Sequence, residues 1–144
     1  MDSSPRVATI DADVERQILD AIDKFIDRDV RPYVMALEHA DEYPEDMVEG
    51  MKELGLFGSI IPTEYGGLGL PTTTYAKIVE RVSEVWMSLS GIFNSHLIMS
   101  SAVIRHGTED QKRTWLPRFA TGELRGGLAL TEPNCGTDLQ AIRM

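Results

Sequence analysis

Cysteine is almost missing from this chain: Cys135 is the only one in 144 residues. No internal disulfide can form, and zinc sites built from several cysteines are excluded. Histidine is scarce too, and His39, His96 and His106 lack ligand spacing, so each defaults to a structural or solvated role and no metal is expected. Basic residues are outnumbered, with 14 Lys and Arg against 23 Asp and Glu, for a net charge of −9. Such a surface repels phosphate backbones and anionic membranes, so no nucleic-acid partner is expected and any anionic ligand needs local donors. No uninterrupted apolar run approaches membrane-spanning length, and the N-terminal MDSSPRVATIDADVERQ has no apolar signal core. A cytoplasmic protein without a membrane span is the expectation. Glycine-rich dinucleotide fingerprints, a phosphate-binding loop with lysine and a helical His-Glu metal pattern are all absent.

What remains is globular in composition, at 42% hydrophobic and 26% charged, and long enough for one domain with a real core. After Asp11 the apolar positions Val14, Ile18, Ile22, Phe25, Ile26 and Val30 carry helical spacing opposite a charged face. Pro32 breaks or kinks that helix, and Val34 and Leu37 continue its stripe. A shorter helix fits Pro44 to Leu54, stopped by Gly55. The stretch SIIPTEYGGLGLPTTT predicts a loop across the surface before a helix opens near Thr72. From Leu89 to Arg105 the chain is apolar nearly all round, which predicts a central helix buried on most faces and stopped at His106-Gly107. Thr108 to Gln111 matches a capping box that launches a helix ending at Gly122. Together these predict a mainly α protein, an antiparallel helical bundle with one long loop.

At Gly126-Gly127 the period changes, and Leu128-Ala129-Leu130-Thr131 alternates as a first strand would. Pro133 cannot continue ladder pairing, so the strand presents its backbone at a sheet edge. Leu128 and Leu130 point their amides and carbonyls to that edge, matching the acceptor–donor–acceptor rim of a flat ring such as a flavin's pyrimidine end. Ala129 and Thr131 let a ring approach, and Thr131 adds a hydroxyl. Gly136 and Thr137 then form a small anion nest. The bland alternative is a strand followed by an ordinary turn, with Cys135 a packed thiol.

Ala129-Leu130-Thr131-Glu132-Pro133-Asn134-Cys135-Gly136-Thr137-Asp138 with Ala141 resembles the signature of the acyl-CoA dehydrogenase family. The Ile61–Gly69 loop, the His106–Lys112 turn and the Leu116-Pro117 run to Gly122 are similar to that family as well, so the resemblance covers about residues 14 to 144. Cys135 departs from it, standing where a smaller residue is usual. The resemblance implies a helical N-terminal domain over residues 1–124 and the first strand of a truncated middle β-domain over 125–144. It implies FAD held by Leu128, Ala129, Leu130, Thr131, Gly136 and Thr137, and an acyl-CoA substrate beside Thr137. Ser90, Gly91, Asn94 and Ile98 would then floor the acyl pocket. It further implies α,β-dehydrogenation in fatty acid metabolism, an electron-transfer flavoprotein or similar acceptor, and homo-oligomers. The family's base is a glutamate of the C-terminal bundle, so no catalytic residue is assigned here: Glu132 belongs to the signature, and this chain alone is expected to be inactive. A same-fold flavin oxidase or monooxygenase, or a non-catalytic helical interaction module, are the other readings. The apolar helix and unpaired strand are expected to leave an apolar face open to a partner or a second copy.

Overall fold

The computed structural model describes residues 10–144; most of the N-terminal segment read as lacking a signal core lies outside the described residues. Helix α1 (Ala12–Phe25) starts where Asp11 accepts the amides of Asp13 and Val14 with its side chain. It buries Leu19, Ile22 and Phe25 and leaves its acidic face outward. Proline at 32 does end the run, through a π-helical turn over Ile26–Val30 in which the Arg31 amide reaches the Ile26 carbonyl at 2.8 Å. The wider turn relieves the clash a proline ring makes with the carbonyl four residues back. Helix α2 (Val34–Ala40) then closes on Asp41 in the left-handed region, and α3 (Glu45–Glu53) closes on Gly55 at φ 72°.

The glycine-rich stretch is more than a surface crossing. Two 3-10 turns, Leu56–Gly58 and Thr63–Tyr65, fold it back on itself. The Leu68, Leu70 and Gly69 amides bond to the carbonyls of Gly58, Ser59 and Ile61 at 2.8–2.9 Å, and Ile61 and Leu70 are buried. Gly67 lies so close to the Ile61 carbonyl that an added Cβ would sit 2.1 Å from its oxygen.

The two helices expected between Thr72 and His106 are there, end to end in one element, α4 (Thr72–His106), and parted at Trp86, whose φ of −153° and ψ of 100° leave the helical region. Ser83 and Ser90 join hydroxyls across the break at 2.8 Å. Its stop at Gly107 has an unexpected cause. That residue is extended rather than left-handed, and glycine is needed because a Cβ would meet the Val103 carbonyl at 2.6 Å. Helix α5 (Glu109–Ala120) begins with the capping box at Thr108 and Gln111 and ends before Gly122 at φ 73°.

Helix directions correct the uniformly antiparallel bundle. Glu15 pairs with Thr74 and Lys77, and Asp23 with Arg81, so α1 and the first half of α4 run the same way. The second half of α4 turns back into α5 through the short Gly107-Thr108 connection, and His96, a few turns before that connection, meets Phe119 near the end of α5, as antiparallel neighbours do. The core falls into two apolar clusters. One gathers Ile22, Phe25, Met51, Phe57, Ile78 and Phe93; the other gathers Ile61, Leu116, Phe119 and Ala120.

Two expectations are corrected by packing. The second half of α4 is buried on one face, through Leu89, Phe93, His96 and Leu97, while Met87 is 75% and Ile98 48% exposed, because among the described residues nothing covers the other side. That helix is also long and apolar enough to cross a membrane by length and composition, with a window of mean hydropathy 1.3, since serine and glycine rather than charge interrupt its apolar residues. Finally, Leu128–Thr131 forms no strand: a ladder needs a second chain segment, and among the described residues none pairs with it, leaving an isolated bridge between Glu132 and Cys135.

Two glycines of opposite surroundings test this packing. Gly67→Ala forces its methyl into a backbone carbonyl and is expected to cost about 1–3 kcal/mol. Gly91→Ala, inside a helix with no atom within 4 Å of the new Cβ, is expected to stabilise by about 0.5–1 kcal/mol. Urea unfolding of both variants reads the sign; a destabilised Gly91→Ala would show that something covers this face.

Candidate functional site

Two features of the surface stand apart from the packed body. The first is the arm that follows α5. Leu124 still packs on the α5 cluster, and Arg125 reaches back to the Tyr43 hydroxyl and ring. The Gly126 amide then donates to His96 Nδ1 at 3.3 Å. Beyond it the arm is exposed, with Leu128 at 51% and Leu130 at 44%. Among the described residues, the amides and carbonyls of Leu128, Ala129, Leu130 and Thr131 have no hydrogen-bond partner.

A tight turn follows. The amides of Glu132 and Cys135 each bond the other's carbonyl, at 3.0 and 3.2 Å, which closes Pro133-Asn134 into a loop and buries Cys135 inside it. The larger residue at position 135 is therefore absorbed by packing rather than turned toward any ligand. Gly136 and Thr137 come next, both exposed, with their amides unpaired among the described residues and nothing within 4 Å of a Cβ built on Gly136. These are free donors beside open space, as an anion nest requires. The Glu132 carboxylate accepts the Arg143 and Met144 amides at 3.1 Å each, so it holds the arm's own backbone.

The second feature is the uncovered face of α4. Gly91, Asn94, Ser95 and Ile98 share it at helical spacing, with open space above Gly91. Ser90 does not join them. It is turned inward, donates to the Met87 carbonyl and accepts from Ser83, both at 2.8 Å, and so completes the helix break. Asn94 is oriented by a residue that the sequence reading passed over: the Tyr75 hydroxyl donates to its Oδ1. Tyr75 also sets its ring edge-on against Phe93, 6.5 Å between centroids. Only the helical offset between Tyr75 and the Asn94 face could have suggested this, and the break at Trp86 hides that offset.

His96 is the other residue whose role the sequence left bland. It is fully buried, with Phe57 and Phe119 edge-on at 5.4 and 5.6 Å, and Nε2 lies 3.1 Å from the Phe119 carbonyl. Since Gly126 donates to Nδ1, the hydrogen sits on Nε2 and the ring is neutral. Burial lowers its pKa, outweighing the Phe119 and Phe57 carbonyls that favour the charged form, and Arg125 lowers it further.

The comparisons with known proteins converge. Residues 12–123 match the family model described as acyl-CoA dehydrogenase, N-terminal domain. The (2S)-methylsuccinyl-CoA dehydrogenase of Cereibacter sphaeroides is 33% identical over 135 residues, 93% of this chain and 24% of that one. The mitochondrial very long-chain specific acyl-CoA dehydrogenase of Rattus norvegicus is 38% identical over 104 residues, 72% of this chain and 16% of that one. Among solved structures, an acyl-CoA dehydrogenase complexed with FAD from Bacillus anthracis superposes with a TM-score of 0.80 at 30% identity, over 94% of this chain and 25% of that one. The chain thus spans about a quarter or less of the length of these relatives.

The burial of the Tyr75 hydroxyl has a measurable signature. Burial pushes the Tyr75 phenol from 10.0 up to about 12. A raised acid pKa means that the unfolded chain loses this proton first, so its contribution to stability is intact below pH 10 and is lost as pH rises from 10 toward 12. Phenolate absorbance is expected to show a late step from Tyr75, alongside Tyr65, whose phenol burial also raises. Tyr75→Phe should remove that late step and flatten the alkaline fall in stability.

Proposed function

Because the chain belongs to the acyl-CoA dehydrogenase family, we propose that it is the N-terminal helical domain, with the first segment of the middle β-domain, of an FAD-dependent acyl-CoA dehydrogenase. The division falls near residue 124, where the last helix cluster ends and the arm begins. What carries the reading is the arm itself: unpaired backbone from Leu128 to Thr131, then a turn with free amides at Gly136 and Thr137. Unpaired polar backbone is costly unless water or a ligand satisfies it, and this pattern suits the flavin.

On this reading Leu128 and Leu130 offer backbone acceptors and donors to the ring's pyrimidine end, with Ala129 and Thr131 small enough to let it approach. Thr131 adds its hydroxyl, and Gly136 with Thr137 receives the diphosphate. Thr137 also borders the substrate's CoA portion. Gly91, Asn94 and Ile98 floor the acyl pocket, with Ser90 bracing the helix break behind them. When bound, the flavin supplies the two-electron acceptor needed for α,β-dehydrogenation of the acyl-CoA. The chain's own contribution is binding and orientation. No residue here takes the α-proton, since Glu132 is committed to two backbone amides.

The expected context follows from the family: cytoplasmic fatty acid metabolism, homo-oligomers, and an electron-transfer flavoprotein or similar acceptor. The open face of α4 and the unpaired arm give such assembly a surface to cover.

Calorimetric titration tests the site. FAD is expected to bind the 144-residue chain weakly, with no turnover of acyl-CoA. Leu130→Pro, which deletes one backbone donor, should weaken binding by about fivefold or more, while Leu130→Ala leaves it unchanged. Equal binding by both variants, or acyl-CoA oxidation by the chain alone, would overturn the assignment.

A further inference from the structure

Among the described residues, every hydrogen bond from Gly127 onward is internal to the arm. The contact between Gly126 and His96 is therefore the last hydrogen bond that ties the arm to the helical body. Its two sides are packed differently: Gly126 meets the flexible tip of Met99, and the imidazole is held between two rings. Gly126 lies so close to Met99 that a Cβ would meet its Cε at 2.5 Å, whereas the next residue, Gly127, has open space around it. The imidazole on the other side is clamped by Phe57 and Phe119 and cannot swing away without opening both clusters.

We infer that His96 is the positioning residue for the arm: with Nδ1 unprotonated it holds Gly126, and a proton on Nδ1 releases it. The reason is donor–acceptor parity. The neutral ring donates from Nε2 to the Phe119 carbonyl and accepts at Nδ1 from the Gly126 amide. A second proton leaves the first bond intact and sets N–H against N–H at the second. The elements packed on the ring bring Phe57 from the loop before Ile61 and Phe119 from α5, uncharged side chains whose carbonyls both favour the charged imidazole, and Ser100 from α4 itself. Arg125, next to Gly126, is the charged group acting on the ring, and it opposes a second positive charge. Burial and Arg125 both hold the imidazole pKa down, so the second proton, and with it the loss of Gly126, comes below the ordinary imidazole range. That the arm so positioned carries the cofactor rests on the proposed function; the latch itself does not.

The test is hydrogen exchange at the Gly126 amide in the 144-residue chain, corrected for the intrinsic pH dependence of exchange. Protection is expected to fall roughly five- to tenfold between about pH 7.5 and about pH 5, the equivalent of one lost hydrogen bond. His96→Asn keeps an acceptor near the Nδ1 position but cannot titrate, so it should hold protection level across that range. Unchanged protection in the wild type, or the same fall in His96→Asn, overturns the latch. Should His96→Asn fail to fold, the imidazole nitrogen resonances of the wild type decide: hydrogen on Nε2 at neutral pH supports it, hydrogen on Nδ1 overturns it. FAD titration is read separately, so an arm released by acid in a chain that ignores FAD would leave the latch standing and sink the flavin reading.

Discussion

One imidazole bonds at once to the end of α5 and to the start of the arm. Phe57 belongs to the cluster built by α1, α3 and the front of α4; Phe119 belongs to the cluster between α4 and α5. His96 lies against both, and its two nitrogens bond to α5 on one side and to the start of the arm on the other. An apolar side chain in that position could fill the volume but would leave the part-buried Gly126 amide without its acceptor, whereas the Phe119 carbonyl would keep the Gly122 amide. The relation of the arm to the helices is thus set by hydrogen-bond parity rather than by apolar area.

The same helix that carries His96 is divided lengthwise. Its inner face supplies Leu89, Phe93 and Leu97 to the core, and its outer face shows Met87, Gly91 and Ile98. A glycine in the interior of an exposed helical face weakens the helix, and here no crowding demands it, since a methyl group would touch nothing. Sites where local stability is given up without a packing reason are where functional constraints are expected. Gly91 has that character beside Asn94, whose amide is held in orientation by Tyr75. The pairing of an open notch with a fixed polar group is what a ligand-facing surface needs, and the proposed acyl pocket places its floor there.

Much of this was legible in the sequence, for identifiable reasons. Local signals held: the capping box at Thr108 and the stops at Gly55 and Gly122 depend on neighbours within a few residues. The family signature around Thr131 to Asp138 was legible for the same reason. What failed depended on distant partners. Apolar periodicity shows which residues seek cover but not whether the cover lies in the same chain, so the outer face of α4 was expected to be buried and Leu128–Thr131 to be a strand. Helix direction was missed because the spacing within α1 and α4 carries no sign of their mutual orientation; only the pairs Glu15–Lys77 and Asp23–Arg81 reveal it. His96 looked bland because its importance comes from the Phe119 carbonyl and the Gly126 amide, backbone groups with no residue-type signature.

The arm shows why these two kinds of information must be combined. Its composition is that of a strand, and its backbone from Leu128 to Thr131 is unpaired. An isolated strand gains nothing from β propensity, because that propensity reflects packing against neighbours on a sheet. The arm is instead held in shape by its own turn, in which Cys135 is packed and Glu132 gathers the Arg143 and Met144 amides. Such a segment spends little of its bonding capacity on the helical body and keeps the rest available. Whatever satisfies those groups, a sheet neighbour on one edge or a ring and diphosphate on the other, binds a segment whose ordering has already been partly met by the turn and by Gly126. Pre-organisation of this kind lowers the entropic cost of binding, and the Gly126 bond to His96, two residues before Leu128, is part of that ordering.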